Sequence, residues 1–232
     1  MSNILVNIKG LDSKEFPKGI TPLQIMNDVK GVSKDSIICK IDGELMDLSS
    51  TLKKDCELQF MDAKSKDGHS VLLHSTAHLM AQAVKRLFPK TKVTIGPYLK
   101  NRFYYDFDVE TPFTENDLLK IENEMIKISE ENLEITHGVK SRDEALTYFE
   151  KIKENYKVEI INDLDKDEIL KVYSQGEFTD LCRGPHVQST GQIKNFKLLS
   201  SSAAYWRGDE ENQTLQRVYG TSFQNSKDLK KY

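Results

Sequence analysis

Two pairs of side chains limit most strongly how this chain can fold. His74 and His78 are four residues apart within residues 71–88, a stretch that lacks glycine and proline and repeats apolar residues at helical spacing. Cys182 and His186 have the same separation, but a Gly-Pro dipeptide between them is incompatible with a continuous helix. The first pair therefore predicts a helix and the second a loop.

The residue types in these pairs are typical of a metal-binding or catalytic site. Histidine and cysteine are common zinc ligands, and four of them complete a tetrahedral site. The same four side chains also suit a polar hydrolytic pocket without metal. Each pair alone has an ordinary explanation, because helix histidines can lie at a polar edge and free cysteines are usually small buried residues. Two pairs in one chain favour a shared site.

Composition excludes several classes of protein. The 33 Lys and Arg residues are balanced by 36 Asp and Glu, for a net charge of -3, so RNA contact must come from local patches. No apolar run reaches membrane-spanning length, and the N-terminus lacks the pattern of a signal peptide. Three cysteines, an odd number, argue against a disulfide framework. We expect a cytoplasmic protein without membrane contact.

Residues 1–62 predict a small unit of strands around one helix. Alternating or β-branched runs indicate strands at residues 4–9, 37–41 and 57–60. An N-cap hydroxyl, a first-turn proline, a capping-box glutamine and a terminating glycine delimit the helix, at Thr21, Pro22, Gln24 and Gly31. Strands around a single helix in so short a segment favour a β-grasp (ubiquitin-like) module.

Residues 63–224 predict a second, larger α+β unit. Besides the helix over residues 71–88, we expect helices from Thr114 to about residue 130, from Ser141 to about residue 152, and over residues 165–173. The expected strands are residues 92–95, 102–108, 157–161, 178–181, 196–199 and 214–223. Residues 225–232 form a polar, basic end.

Further polar residues accompany the second pair. A carboxylate such as Asp180 could orient a histidine or accept a proton, and Lys157 could hold a phosphate or ribose oxygen. A surface ion pair explains them equally well. Basic and aromatic residues also alternate near the C-terminus, a pattern that suits phosphate contact and base stacking or simply a solvated strand face. These residues are Lys194, Lys197, Arg207, Arg217, Tyr205, Trp206 and Tyr219.

Several segments resemble the N-terminal part of bacterial-type threonyl-tRNA synthetases. The matching segments are residues 74–84, 103–107, 176–186, 204–209 and 215–221. With the N-terminal unit, the resemblance covers nearly all 232 residues. It implies a TGS domain over residues 1–62, an editing domain of the threonyl/alanyl-tRNA synthetase type over residues 63–224, and from residue 225 the start of a linker towards an absent catalytic core.

The resemblance also implies an aminoacyl-tRNA ester hydrolase that removes serine from mischarged tRNA(Thr). The implied pocket residues are His74, His78, Lys157, Asp180, Cys182 and His186. In alanyl-type relatives the two pairs hold zinc, whereas Lys157 and Asp180 belong to the threonyl-type pattern. We add four expected contacts with substrate or tRNA: Tyr105, Arg183, Tyr205 and Arg207.

We expect no obligatory cofactor for this hydrolysis, since the charge of Lys157 would disfavour a neighbouring cation. Zinc, if bound, would use the four residues of the two pairs. ATP and a second zinc belong to the absent core of the parent, a class II threonine–tRNA ligase. The expected partner is the acceptor 3′ end of tRNA(Thr) carrying serine; the chain should be a monomer and its parent a homodimer. The alternatives are a free-standing alanyl-type metallohydrolase and a non-catalytic tRNA-binding module.

Overall fold

The structure is a computed structural model that describes residues 2–232. It contains both strands and helices throughout this range, in agreement with the α+β class. The strands are β1 Asn3–Ile8, β2 Lys14–Pro17, β3 Ser36–Ile41, β4 Glu44–Met46, β5 Cys56–Asp62, β6 Lys92–Val93, β7 Tyr98–Leu99, β8 Arg102–Asp108, β9 Ile135–Lys140, β10 Leu170–Gln175, β11 Phe178–Leu181, β12 Asn195–Tyr205 and β13 Thr214–Phe223. The helices are α1 Pro22–Asp28, α2 Lys66–Leu87, α3 Glu115–Glu131, α4 Arg142–Lys151, α5 Asn155–Asp163 and α6 Ser226–Lys231. Within residues 2–232, no helix is both long and apolar enough to cross a bilayer.

The N-terminal unit is a mixed sheet packed on one short helix. Its strand order is β2-β1-β5-β3-β4, with β1 and β5 parallel and the other neighbours antiparallel. Helix α1 begins with the predicted capping box, because Gln24 N donates to Thr21 Oγ1 (3.3 Å) and Thr21 N donates to Gln24 Oε1 (2.9 Å). Strand β2, which the sequence pattern did not predict, pairs with β1 at the sheet edge.

The second unit surrounds helix α2 with two sheets. One sheet has the order β12-β13-β8-β6, with β7 also paired to β8, and the other has the order β11-β10-β9. Helix α2 packs against α3 and against strands β8, β11 and β13. It begins at Lys66, earlier than predicted, because Ser65 Oγ accepts a hydrogen bond from Gly68 N (3.1 Å) as an N-cap.

Two predictions of secondary structure were wrong. Residues 157–161 alternate in polarity like a strand but lie in helix α5, where Lys157 and Ile161 are buried one turn apart. The predicted helix over residues 165–173 instead ends in strand β10, which pairs with β9 and β11. Over so few residues, periodicity does not separate helix from strand, and tertiary packing decides. The C-terminal segment expected to be a linker contains helix α6.

An apolar core connects the two units. Ile38 of β3 and Met61 of β5 belong to the same buried cluster as Leu72 and Met80 of α2. Strand β5 ends at Asp62, only a few residues before α2 begins. Separating the units would expose this apolar surface to water, so we expect them to unfold together. The domain boundary at residue 62 stays a prediction.

The shared core yields a test of this coupling. Ile38 is fully buried, and Ile38→Ala should lower the free energy of unfolding by about 2–5 kcal/mol because it leaves a cavity. Trp206, the single tryptophan, lies in the second unit, and its fluorescence reports on the unfolding of that unit in urea. The midpoint of this transition should move to a lower urea concentration, although the substitution is in the first unit. Leu5→Ala, at an exposed position of the same sheet, is the control and should have little effect. An unchanged Trp206 transition in Ile38→Ala would show that the units unfold independently.

Candidate functional site

Three histidines and one cysteine lie together where α2 meets the loop after β11. His74 and His78 come from α2, and Cys182 and His186 come from the loop. One ligating atom from each of the four lies within 4.8 Å of the other three. Cys182 Sγ is 3.4 Å from His74 Nε2 and 3.3 Å from His186 Nε2. We call these four residues the His/Cys cluster.

Ser75 fixes the orientation of His186. Its hydroxyl is 2.9 Å from His186 Nδ1 and also accepts a hydrogen bond from Val187 N (3.1 Å). Since Nδ1 is engaged in this way, Nε2 of His186 faces Cys182. Sequence reasoning did not select Ser75, and its position between the two helix histidines was the one signal that could have done so.

Gly184 gives the loop its tight path. Its N–H donates to Cys182 Sγ (3.2 Å), and its φ is +69°. A Cβ atom at this position would lie 1.9 Å from the hydroxyl oxygen of Tyr173. Only glycine therefore fits beneath Tyr173, and this close approach brings the two ends of the loop to the cluster.

A buried ion pair lies beside the cluster. Lys157 Nζ is 2.5 Å from Asp180 Oδ1 and donates to the carbonyl oxygen of Thr94 (2.5 Å). Tyr105 donates its hydroxyl to Asp180 Oδ2 (2.6 Å), and His78 Nε2 is 3.5 Å from the same oxygen. Burial favours the neutral acid, but Lys157, His78 and Tyr105 outweigh it and keep the pKa of Asp180 below its ordinary value. The carboxylate is therefore ionised and links Lys157 to the cluster.

Burial keeps the cluster uncharged near neutral pH. It lowers the pKa of His74 to about 3 and that of His78 to about 4, and the pKa of His186 is also well below its ordinary value. Burial likewise raises the pKa of the Cys182 thiol to about 12. The cluster therefore consists of three neutral imidazoles and a thiol. A neutral imidazole can accept a proton from water or bind a metal ion.

The cluster has the donor set of a zinc site, and two of its distances match one. With Zn–N of about 2.0 Å and Zn–S of about 2.3 Å, tetrahedral geometry separates nitrogen from sulfur by about 3.5 Å. The two sulfur–nitrogen distances of 3.3 and 3.4 Å are close to that value. The ammonium of Lys157 is paired with Asp180, which offsets the repulsion that we expected it to exert on a cation. These residues therefore fit zinc.

The cluster has a solvent-facing side and a buried side. His74 and Cys182 are partly exposed, whereas His78 and His186 are buried. The exposed ring of Tyr98 flanks His74, with 6.2 Å between ring centroids. A substrate that approaches from solvent would meet His74 and Cys182 first.

The residues that we expected to contact substrate or tRNA lie in different surroundings. Tyr105 is fully buried and has no exposed surface for such a contact. Arg183 is exposed and pairs with Glu168 (2.8 Å). Tyr205 is 44% exposed, and Arg207, two residues further along the chain, pairs with Glu159 (3.0 Å) and with Asp163. Tyr205 and Arg207 line one groove together with Ile95.

Ion pairs also neutralise other basic residues near the C-terminus. Arg217 binds the Asp106 carboxylate with two hydrogen bonds of 2.7 and 2.8 Å, and Lys197 pairs with Glu122 (2.7 Å). Arg217 also lies over the ring of Tyr104, with Cζ 4.0 Å from the ring centroid. These two cations mainly hold the sheet and α3 together, so the alternation of basic and aromatic residues is largely a feature of strand packing.

Comparison with known proteins identifies similar sequences. The family described as "Threonyl and Alanyl tRNA synthetase second additional domain" matches residues 170–219. The chain is 49% identical to the threonine–tRNA ligase of Pelobacter propionicus in an alignment of 233 positions, which covers all of this chain and 36% of the ligase. The ligases of Symbiobacterium thermophilum and Hahella chejuensis are each 49% identical over 220 residues, 94% of this chain and 34% of each ligase. The chain thus spans about a third of the length of these relatives.

The buried histidines predict how stability depends on pH. His78 keeps a pKa of about 4 when folded, against an ordinary value of 6.5, so below pH 6.5 the unfolded chain binds a proton that the folded chain does not. Its contribution to stability is full above pH 6.5 and is lost as the pH falls, by about 2 kcal/mol at pH 5. Urea midpoints measured between pH 7.5 and 5 should therefore decrease, and His78→Gln should make this dependence shallower.

Other groups titrate at lower pH. Glu177, whose pKa Arg86 holds at about 2, contributes only as the pH falls below its ordinary value of 4.5. A change in the urea midpoint between pH 6.5 and 5 is therefore assigned to histidines. Stability that stays constant over this interval would show that the cluster is not held neutral by burial.

Proposed function

The chain belongs with the N-terminal part of bacterial threonyl-tRNA synthetases, and we propose that it hydrolyses the ester bond of seryl-tRNA(Thr). The observation that supports this proposal best is the His/Cys cluster, in which three neutral imidazoles, one of them partly exposed, lie beside a buried ion pair. A neutral imidazole can accept a proton from water, as ester hydrolysis requires. Ligation of threonine to tRNA is the activity that names the relatives, of whose length this chain spans about a third, and it is not part of this proposal.

A hydrolytic site is needed because binding alone distinguishes serine from threonine only weakly. Serine and threonine differ by one methylene-sized group, and a synthetic site that favours the larger amino acid gains only about 1–3 kcal/mol, or roughly 10- to 200-fold. A second site that admits serine and excludes threonine by steric conflict at its extra methyl group raises this selectivity. We assign that second site to the His/Cys cluster.

His74 is our candidate for the residue that activates water. Its imidazole is neutral and partly exposed, so a ring nitrogen is free to accept the proton that water loses as it attacks the ester carbonyl; with a pKa of about 3 it is a weak base and holds that proton only briefly. The bond between the carbonyl carbon and the ribose oxygen then breaks, and the imidazolium returns the proton to that oxygen. Cys182 forms the other exposed part of the site and shapes the pocket for the seryl group.

Lys157 and Asp180 act as positioning residues in this proposal. We expected Lys157 to contact ribose and Asp180 to contact the seryl amine or hydroxyl, but both are at most 2% exposed. Lys157 keeps Asp180 ionised, and Asp180 orients His78 through the 3.5 Å contact with Nε2. Removing one partner would leave a buried charge unpaired, which typically costs about 3–5 kcal/mol.

The groove lined by Ile95, Tyr205 and Arg207 is our candidate for the 3′ end of tRNA. It has a volume of about 450 Å³ and lies next to α5, the helix that carries Lys157. The exposed ring of Tyr205 can stack on a base, and Arg207 can contact phosphate after exchanging its carboxylate partners. The N-terminal mixed sheet with its helix supports assigning that unit as a β-grasp TGS domain.

A zinc-dependent hydrolase is the second candidate, and the spacing of the His/Cys cluster favours it. His74, His78, Cys182 and His186 would hold the ion. Bound zinc would supply Lewis-acid activation of water or of the carbonyl. If all four residues bound the ion, His74 would no longer be free to accept a proton, so the two candidates assign different roles to His74.

Deacylation of seryl-tRNA(Thr) tests the proposal. We expect the chain to release serine faster than threonine or alanine, and His74→Ala to lower kcat by about 100-fold or more because water loses its general base. His69→Ala is a matched control, because His69 is also on α2 but bonds to Ser222 O (2.9 Å) away from the cluster. Rates would be measured with each tRNA labelled on its amino acid.

The outcomes separate the hypotheses. Full activity in His74→Ala would remove His74 from the mechanism, and a faster release of alanine than of serine would favour an alanyl-type enzyme. Binding of tRNA without any deacylation would favour the non-catalytic binding module.

Metal binding can be tested separately from activity. We expect the chelated chain to bind one cobalt(II) ion with thiolate-to-metal absorption, and Cys182→Ser to lose that absorption because sulfur is one ligand. Cys56→Ser, which changes a free cysteine of the N-terminal unit, should keep it. Deacylation should persist after chelation, since neutral His74 acts without metal. Loss of deacylation on chelation and recovery with zinc would establish the metallohydrolase instead.

A further inference from the structure

Asp47 of the N-terminal unit reaches the His/Cys cluster. It follows strand β4 directly, and only 7% of it is exposed because it lies between the two units. Its Oδ1 accepts a hydrogen bond from the backbone N–H of His186 (2.9 Å), and its Oδ2 accepts one from the Tyr173 hydroxyl (2.7 Å). A single carboxylate therefore binds a backbone group of the candidate site and a side chain of β10.

The Tyr173 hydroxyl extends the effect of Asp47 to the middle of the loop. It lies directly over Gly184, where a Cβ atom would be only 1.9 Å away. The ring of Tyr173 also packs edge-on against His186, with 4.6 Å between ring centroids. Asp47 thus restrains the loop at His186 directly and at Gly184 through Tyr173.

Asp47 and Ser75 hold different parts of His186. The Ser75 hydroxyl lies against Nδ1 of the ring, whereas Asp47 holds the backbone of the same residue. This hydrogen bond is buried, and a buried donor that loses its partner also loses the compensation for its desolvation. Loss of the bond would leave the His186 N–H without its partner and allow the loop to shift.

We propose that Asp47 is a positioning residue for the hydrolytic site, so that the N-terminal unit completes a site whose other residues all belong to the second unit. The inference rests on the proposed hydrolysis of seryl-tRNA and adds a role for the N-terminal unit in it. Asp47 acts through His186 and Gly184 and does not touch the substrate.

One other contact between the units lies away from the loop. Lys40 of β3 pairs with Asp67 of α2 at 2.6 Å, and both side chains are partly exposed. This ion pair holds the units together without contacting the cluster. It therefore provides a control that separates positioning of the loop from simple attachment of the units.

The test compares Asp47→Ala and Asp47→Asn in the whole chain. Asp47→Ala should lower kcat for seryl-tRNA deacylation by roughly 10- to 100-fold with little change in KM, because the loop shifts while the tRNA groove stays intact. Asp47→Asn should retain most of kcat, since its amide oxygen can accept from His186 N–H and its amide nitrogen can donate to the Tyr173 oxygen. Lys40→Ala should retain wild-type kcat.

Hydrogen exchange at the His186 amide, measured by NMR, gives a readout that needs no activity. Asp47→Ala should speed this exchange by about 10-fold or more while amides in the middle of α2 keep their protection. If the wild-type chain does not deacylate seryl-tRNA, the proposed function fails, and faster exchange in Asp47→Ala still supports positioning of the loop. Wild-type kcat and wild-type exchange in Asp47→Ala would overturn the inference, as would equal losses in Lys40→Ala.

Discussion

The burial of helix α2 is the constraint on which the rest of the structure depends. Its residues contact the sheets of the second unit, helix α3 and the apolar core that reaches into the N-terminal unit. Because α2 is enclosed on so many sides, His74 and His78 cannot simply face water, as histidines on a surface helix would. The loop from Cys182 to His186 packs against them and completes a polar site that faces solvent at His74 and Cys182.

The same burial determines the chemistry of the site. In a low-dielectric environment the charged form of each group is penalised, so imidazoles and the thiol stay neutral unless a partner compensates them. Asp180 and Lys157 compensate each other, and Tyr105 and Thr94 supply further hydrogen bonds to the pair. Proton acceptors thus lie next to a fixed ion pair, and this arrangement is compatible with the proposed ester hydrolysis with or without a metal ion.

The N-terminal unit contributes to the apolar core and to the contacts of the candidate site. Its strands share apolar contacts with α2, and Asp47 holds the backbone of His186 (2.9 Å). Nothing near Asp47 in the sequence indicates this contact, because the two residues are 139 positions apart and a single aspartate is common in loops. The three-dimensional arrangement thus connects the fold of the first unit with the geometry of the loop in the second.

The sequence by itself determined what depends on local spacing. A glycine- and proline-free stretch places His74 and His78 one turn apart on a helix, the Gly-Pro dipeptide excludes a helix at Cys182, and the capping boxes set where α1, α3 and α4 begin. Only the tertiary structure decided that Lys157 lies on a helix, that it pairs with Asp180, and that Tyr105 is buried. Short alternating segments have no strong intrinsic preference, and long-range contacts and burial, which set pKa values and access, exist only once the chain is folded.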